Sequence, residues 1–308
     1  MNVETLMLSQ DPYTYVEEAG DDLPTVAAIK RVKLPFNEEA QERKLREVRI
    51  LADLSHPNIL KMNHAWIETP PNGWQTQYDE RNGIEDLTSN LSFEITLSSS
   101  DTEGSETVRL EARPMFLYIE TEECRCDLRY WLDNEKDSRL VLTIFKQLLN
   151  GLLYLHKSKV IHRDVKPTNV FLEKSPGLAV KLGDFGLCTR LKFEQDELPS
   201  GMNSTRGVDG ACGSGSKTTN VGTALYQAPE QEDQSKYGPA VDVYSLGLIA
   251  LELFLDLTDP GDRREALIEA KNGNIKAFEY RDVVKKMLHL DPDQRSNCQT
   301  ILSIISKK

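Results

Sequence analysis

The sequence predicts an α+β protein, on three observations. Two short segments, 25–32 and 115–119, are apolar and rich in β-branched or aromatic residues, and read as strands. Three longer ones, 38–54, 140–156 and 241–257, carry apolar residues at helical spacing or almost all round. At 308 residues the chain is long enough for one large domain or for two lobes sharing a cleft.

The elements follow in order. Residues 1–24 are acidic, end in Asp21-Asp22-Leu23-Pro24, and read as a leader to which no structure is assigned. The strand at 25–32 carries Lys30 in its middle. Asn37 followed by Glu38 and Glu39 reads as an N-cap with acids in the first turn, and Leu45, Val48, Leu51 and Ala52 then mark one face of a helix over 38–54. From about 69 to 113 the composition shifts to Pro, Asn, Gly, Ser, Thr and acids, as expected of a mobile insertion. After the strand at 115–119, apolar residues at 140/141, 144/145, 148/149 and 152 predict an amphipathic helix. A second Gly- and Ser-rich stretch covers 192–217, and 241–257 is apolar enough to be a buried helix.

Composition narrows the function classes. With 39% hydrophobic and 28% charged residues, the chain is of the soluble globular kind and not collagen-like, disulfide-stapled or wholly disordered. Its net charge, 37 − 49 = −12, weighs against non-specific binding to nucleic-acid phosphates or anionic membranes. Five cysteines, at 124, 126, 188, 212 and 298, are few and odd in number, which points to reduced thiols and a cytoplasmic setting. Cys124 and Cys126 form one close pair without a second, so no zinc site is expected, and Cys188 is assigned to packing. No apolar run reaches 18 residues, and residues 1–22 have neither a basic nor an apolar signal region, so no membrane span or export segment is expected.

The chemistry gathers in two places. Between the short apolar stretches Val160-Ile161 and Val170-Phe171-Leu172 lie His162, Arg163, Asp164, Lys166 and Asn169. Twenty residues after Asp164, Asp184 follows the apolar Val180-Lys181-Leu182. Two strand ends can thus aim Asp164, Asn169 and Asp184 at one point, an oxygen-rich set suited to Mg2+ and substrate phosphates.

These residues carry a resemblance. His162-Arg163-Asp164-x-Lys166-x-x-Asn169, Asp184-Phe185-Gly186 and Ala228-Pro229-Glu230 occur in the order of the eukaryotic protein-kinase catalytic core, which the chain resembles from about residue 25 to 306. The resemblance implies a bilobal fold: a small, curtailed β-rich lobe over 25–121 holding the insertion, then a hinge and mainly helical lobe over 122–308, with an activation segment at 184–230. It also implies ATP and Mg2+ as cofactors. Asp164 would accept the proton of the substrate hydroxyl, Lys166 would steady the γ-phosphate, and Asn169 and Asp184 would hold the metal ions. Lys30 would contact the α- and β-phosphates with Glu47 as its helix partner. Thr121 would be the gatekeeper, and Glu122 to Cys124 the hinge that binds adenine through backbone groups. Asp242, Glu230 and Arg295 would be scaffold: Asp242 anchoring the catalytic loop, Glu230 and Arg295 forming a buried ion pair.

Lys166 and the run Gly222-Thr223-Ala224-Leu225-Tyr226 resemble the serine/threonine branch, with Thr223 structural and Thr218 and Thr219 as candidate phosphorylation sites beside a basic pocket at Arg163. Asn63-His64-Ala65-Trp66-Ile67-Glu68, the insertion after it, and Ser245 to Glu252 resemble the kinases of translation initiation factor 2, nearest the endoplasmic-reticulum stress and amino-acid-starvation branches. That implies the alpha subunit of this factor as protein substrate, restraint of translation under stress, and a homodimer, with no direct nucleic-acid or membrane contact. Residues 262–271 then read as a docking helix or as a merely solvated amphipathic one.

The match departs at the front. Before Lys30 the only glycine is Gly20, so the glycine-rich loop that covers ATP phosphates is missing. The resemblance is to an N-terminally incomplete kinase or to one whose residues 1–24 form a substitute lid. A kinase-like regulator that dimerises with an intact kinase is the alternative reading.

Overall fold

The computed structural model describes residues 27–69, 115–173, 178–190, 221–231 and 238–307, and the backbone alone at 5–6, 16–17, 92–98, 105–111, 27, 43, 47 and 221–223. They fall into two compact units, Met1–Ala52 with Met62–Glu123, and Asp53–Lys61 with Cys124–Lys308.

In the first unit, β1 (Thr5–Leu6) and β2 (Val16–Glu17) pair antiparallel. The main sheet has the order β3-β7-β4, from β3 (Ala27–Leu34), β4 (Met62–Glu68) and the central β7 (Met115–Glu122). β3 runs two residues beyond the predicted end at Val32 because Lys33 and Leu34 still find partners in Phe116 and Met115, and Pro35, with no N–H to donate, stops it. Helix α1 (Glu38–Ala52) begins as expected, with Asn37 Oδ1 accepting from the Ala40 N–H at 3.1 Å, a cap worth about 1 kcal/mol. Its Leu45 and Val48 pack on Val32, Leu34, Leu117 and Ile119, the small core of this unit. The helix stops at Ala52, short of the expected 54, ahead of Pro57, and the chain there passes into the second unit.

Inside the insertion, β5 (Ser92–Ser98) and β6 (Ser105–Glu111) pair in seven antiparallel steps, from Ser92↔Glu111 to Ser98↔Ser105. Composition hid this hairpin. The alternation of Phe93, Ile95 and Leu97, answered by Val108 and Leu110, has the period of a strand.

The second unit opens with β8 (Cys126–Asp127) and α2 (Leu128–Asn134), whose first turn is capped by Asp127 accepting from the Tyr130 N–H at 2.7 Å. Then come α3 (Val141–Lys157), β9 (Val160–Ile161), β10 (Val170–Leu172), β11 (Val180–Leu182), β12 (Thr189–Arg190) and α4 (Val221–Tyr226). The chain closes with α5 (Ala240–Phe254), α6 (Pro260–Lys271), α7 (Arg281–Met287) and α8 (Cys298–Ile305). α3 buries Ile144, Phe145, Leu148, Leu149, Leu152 and Leu155 completely, the 3–4 spacing of one helix face. α5 is buried at every position from Val241 to Leu253, as its unbroken apolar sequence requires. It ends at Phe254 rather than 257, where Lys136 reaches across to donate to the carbonyls of Glu252 and Leu255.

Residues 53–61 belong to this unit for a local reason. Asn58 donates through Nδ2 to Gln147 Oε1 and Val180 O, both at 2.9 Å, and its carbonyl accepts from the Leu182 N–H at 3.0 Å. The approach is close enough that a Cβ at Gly151 of α3 would lie 2.9 Å from the Asn58 carbonyl oxygen, so only glycine fits there. Among the described residues no helix is long and apolar enough to cross a membrane.

Candidate active site

The loop between β9 and β10 is held by one buried carboxylate. Asp242, fully buried in the first turn of α5, accepts from the backbone N–H of His162 at 2.9 Å and of Arg163 at 2.8 Å, and His156 Nε2 lies 2.8 Å from it. Burial alone would raise the pKa of Asp242, but the His156 hydrogen bond and charge, with the His162 contacts, hold it below the ordinary carboxylate value. These bonds fix Arg163 in the left-handed region at φ 72°, a strain of order 1–3 kcal/mol that hydrogen bonds to a charged acceptor offset. The backbone is thereby turned so that the next residue, Asp164, leaves the strand.

Asp164 meets two neighbours from its own loop. Lys166 Nζ lies 2.8 Å from Asp164 Oδ2, and Asn169 Nδ2 donates to the same oxygen at 3.0 Å and to the Asp164 carbonyl at 2.9 Å. Asn169 closes a short 3-10 turn, Pro167–Asn169, in which proline fixes the first φ. Its own carbonyl accepts from the Gly183 N–H at 2.9 Å, which ties the end of β11 to the loop and sets Asp184 one residue from Asn169's backbone. Gly183 keeps the packing tight: a Cβ there would lie 2.8 Å from the Phe171 ring and 2.9 Å from Leu60, so both side chains would have to shift. Asp184 is again left-handed, at φ 59°, beyond a Gly183 whose carbonyl is 3.0 Å from His162 Nε2. The His162 ring sits against Phe185, centroids 5.1 Å apart, and Cys188 Sγ donates to the His162 carbonyl at 3.4 Å. His162 is thus the buried post about which the two halves of this constellation are built.

The donor set fits a hard cation. Asn169 uses its amide nitrogen on Asp164, which leaves the amide oxygen as its acceptor, and Asp184 adds a carboxylate. Mg2+ is ordinarily held by one or two protein oxygens together with substrate phosphates and water, which is what such a set offers. Cys124 and Cys126 are both buried, and burial first, then Glu135, pushes the Cys126 thiol up to about 11, so it stays protonated.

The segment after α4 is pinned on the far side. Arg295 spends all five of its N–H donors: on both carboxylate oxygens of Glu230, and on the carbonyls of Ala240 (3.1 Å), His289 (2.6 Å) and Leu290 (3.1 Å). Its guanidinium also lies over the Tyr244 ring, 4.8 Å from the centroid. Gln231 connects this pin to the loop, accepting from the Ala228 N–H at 3.0 Å and donating to the Arg163 carbonyl at 3.1 Å. Nothing in the sequence singled Gln231 out; a glutamine is informative only once its two partners are seen.

A kinase-type constellation, Asp164, Lys166 and Asn169 joined within 3.0 Å and anchored on Asp242, stands where three ordered sequence motifs meet. The model of the protein kinase domain matches residues 16–304. The chain belongs to the protein kinase domain family. Its α+β fold is the bilobal fold of that family. It is similar to the interferon-induced, double-stranded RNA-activated protein kinase of Rattus norvegicus, 30% identical over 292 residues that make up 91% of this chain and 46% of that protein. It is also similar to the eIF-2-alpha kinase GCN2 of Arabidopsis thaliana, 31% identical over 89% of this chain and 22% of that protein. Eukaryotic translation initiation factor 2-alpha kinase 3 of Rattus norvegicus is 30% identical over 70% of this chain and 21% of its own length. The chain therefore spans less than half the length of each of these relatives.

Within this kinase domain Lys30, Glu47, Thr121 and Glu122 lie in the first unit. Lys30 pairs with Ile119 on β3 and shares a strand face with Val32 and Leu34, the face that packs on α1. Glu47 is in α1, its side chain outside the described residues. Thr121 pairs with Ala28 and Glu122 with Ala27 at the end of β7, and Cys124 is buried where the second unit begins. Thr218 and Thr219 lie outside the described residues, as does the Thr223 side chain.

Proposed function

We propose that the chain transfers the γ-phosphoryl group of ATP to a serine or threonine hydroxyl of the alpha subunit of translation initiation factor 2, and so restrains translation in the cytoplasm. The observation that carries the reading is the Asp164 constellation. Asp164 is oriented through Oδ2 by Lys166 and Asn169, and in this reading it takes the proton of the attacking hydroxyl as the phosphorus–oxygen bond forms. Lys166 would steady the transferring phosphoryl group, and Asn169 with Asp184 would hold Mg2+. The ion's part is to neutralise charge on the phosphates. Lys30, partnered by Glu47, would hold the α- and β-phosphates, with Thr121 as gatekeeper and Glu122 to Cys124 as the hinge that binds adenine through backbone groups.

The substrate rests on likeness to proteins whose names specify this factor, including relatives from a plant and a mammal. In this reading α6 is the docking helix, the protein works as a homodimer, and phosphate on Thr218 or Thr219 fills the basic pocket at Arg163. A second reading, a regulator with little catalysis of its own, is favoured by one feature: Gly20 is the only glycine before Lys30. The test is a phosphate-transfer assay with the purified chain, Mg-ATP and the isolated alpha subunit, with Asp164→Asn as control. Transfer by the wild type that the variant loses supports the first reading. A wild-type chain that transfers no phosphate yet pairs with an intact kinase supports the second.

A further inference from the structure

Helix α6 grips the chain around Tyr226 at both of its ends. At its last residue, Lys271 Nζ donates to the carbonyls of Ala224 at 3.2 Å and Gln227 at 3.0 Å, one on each side of Tyr226. At its first turns, Arg263 donates to Asp133 at 2.6 Å and lies 3.7 Å from Glu252, a carboxylate only 2% exposed in the last turn of α5. Glu252 is also the acceptor for the Tyr226 hydroxyl and for Arg129 at 2.6 Å, and Arg129 in turn meets Tyr226 Oη at 2.7 Å and Asp133 at 3.3 Å. Two arginines thus face two carboxylates, Glu252 buried and Asp133 at the exposed edge. Ser245 donates to the Tyr226 carbonyl at 2.8 Å, so the tyrosine is held by backbone and side chain alike.

From this clamp a short bonded path leads to the catalytic loop. Gln227 is followed by Ala228, whose N–H is taken by Gln231, and Gln231 donates to the carbonyl of Arg163, the residue before Asp164. Lys271 and Arg263 lie in the stretch read as a docking helix, and neither belongs to the Asp164 constellation.

We infer that Lys271 is a positioning residue, through which α6 sets the backbone of 224–231 and thereby the catalytic loop at 162–166. A partner that shifts α6 then alters the geometry around Asp164 without touching it. The catalytic consequence rests on the reading given under Proposed function; the coupling does not.

The experiment is amide hydrogen exchange on the full chain, comparing wild type with Lys271→Met, which keeps the aliphatic stem, and with Lys271→Arg, which keeps a multivalent donor. Coupling predicts that Lys271→Met loses about tenfold of its protection over 224–231 and about threefold over 162–166, with α3 and α7 unchanged. Lys271→Arg restores most of both. Loss confined to α6 and 224–227, with 162–166 as protected as in the wild type, overturns the inference, and so does a uniform loss over the whole unit that Lys271→Arg leaves in place. In the transfer assay the same Lys271→Met variant lowers kcat about tenfold at unchanged KM for ATP. A wild type that transfers no phosphate while exchange responds as described refutes the catalytic reading and leaves the coupling standing.

Discussion

One amide nitrogen of Asn169 bonds Asp164 twice, at its backbone carbonyl and at Oδ2, so the carboxylate cannot rotate independently of the loop that carries it. Asn169→Ala removes both bonds and the oxygen assigned to Mg2+. We expect phosphate transfer to fall at least about 100-fold, in the range seen when a preorganised polar group is deleted. The lost hydrogen bonds should cost about 1–3 kcal/mol, read from urea denaturation. A variant that unfolds no more easily and transfers phosphate at the wild-type rate would show that Asp164 is held by something else.

Asp242 gives a pH signature. Its folded pKa lies below the unfolded value of 3.8, so its contribution to stability is complete above that value and is lost as pH falls through the lower folded one. Asp242→Asn keeps one acceptor oxygen but no charge, and leaves a donor of its own buried among donors. We expect it to lose about 3–5 kcal/mol near neutral pH, as when one side of a buried pair is removed. It should also unfold with less acid dependence below about pH 4 than the wild type. Parallel acid-unfolding curves for the two proteins would mean the carboxylate is protonated or relaxed in the folded state.

The site was more legible than the ground it stands on. Asp164, Asn169 and Asp184 stand at fixed intervals beside apolar strands, and spacing survives in one dimension. α1, α3 and α5 were readable within about three residues because the 3.6-residue period and the N-cap at Asn37 are local. What the sequence could not show is who closes each hydrogen bond at long range. Gln231 with Arg163, Lys271 with Ala224, and Glu252 with Arg129 are pairs separated by 47 to 123 residues that no periodicity marks. The hairpin of β5 and β6 was missed for the opposite reason: its strand period is local, but its composition resembles that of a linker.

The Glu230 and Arg295 pair predicts a sharp asymmetry. Both side chains are largely buried, at 13% and 1% exposure, and the guanidinium has no donor to spare. Arg295→Ala should therefore cost about 3–5 kcal/mol, because Glu230 is left charged without its partner while the three carbonyls lose their donor. The double variant Glu230→Met with Arg295→Met should recover much of that loss in a double-mutant cycle. Additive losses from the two single variants would show that the pair does not act as one unit.

The insertion can be cut because of where its ends lie. Glu68 at the end of β4 is the register partner of Phe116 in β7, so the two strands already form the arms of an antiparallel hairpin. β5 and β6 make a separate two-stranded sheet and add no strand to β3-β7-β4. Replacing residues 70–114 by a four-residue Gly- and Asn-containing turn should leave the melting temperature within about 3 °C of the wild type, since shortening a loop changes closure entropy only slowly. Circular dichroism melts of the two proteins decide it. A fall of about 10 °C or more would correspond to several kcal/mol of lost contacts and would make the insertion part of the folded core.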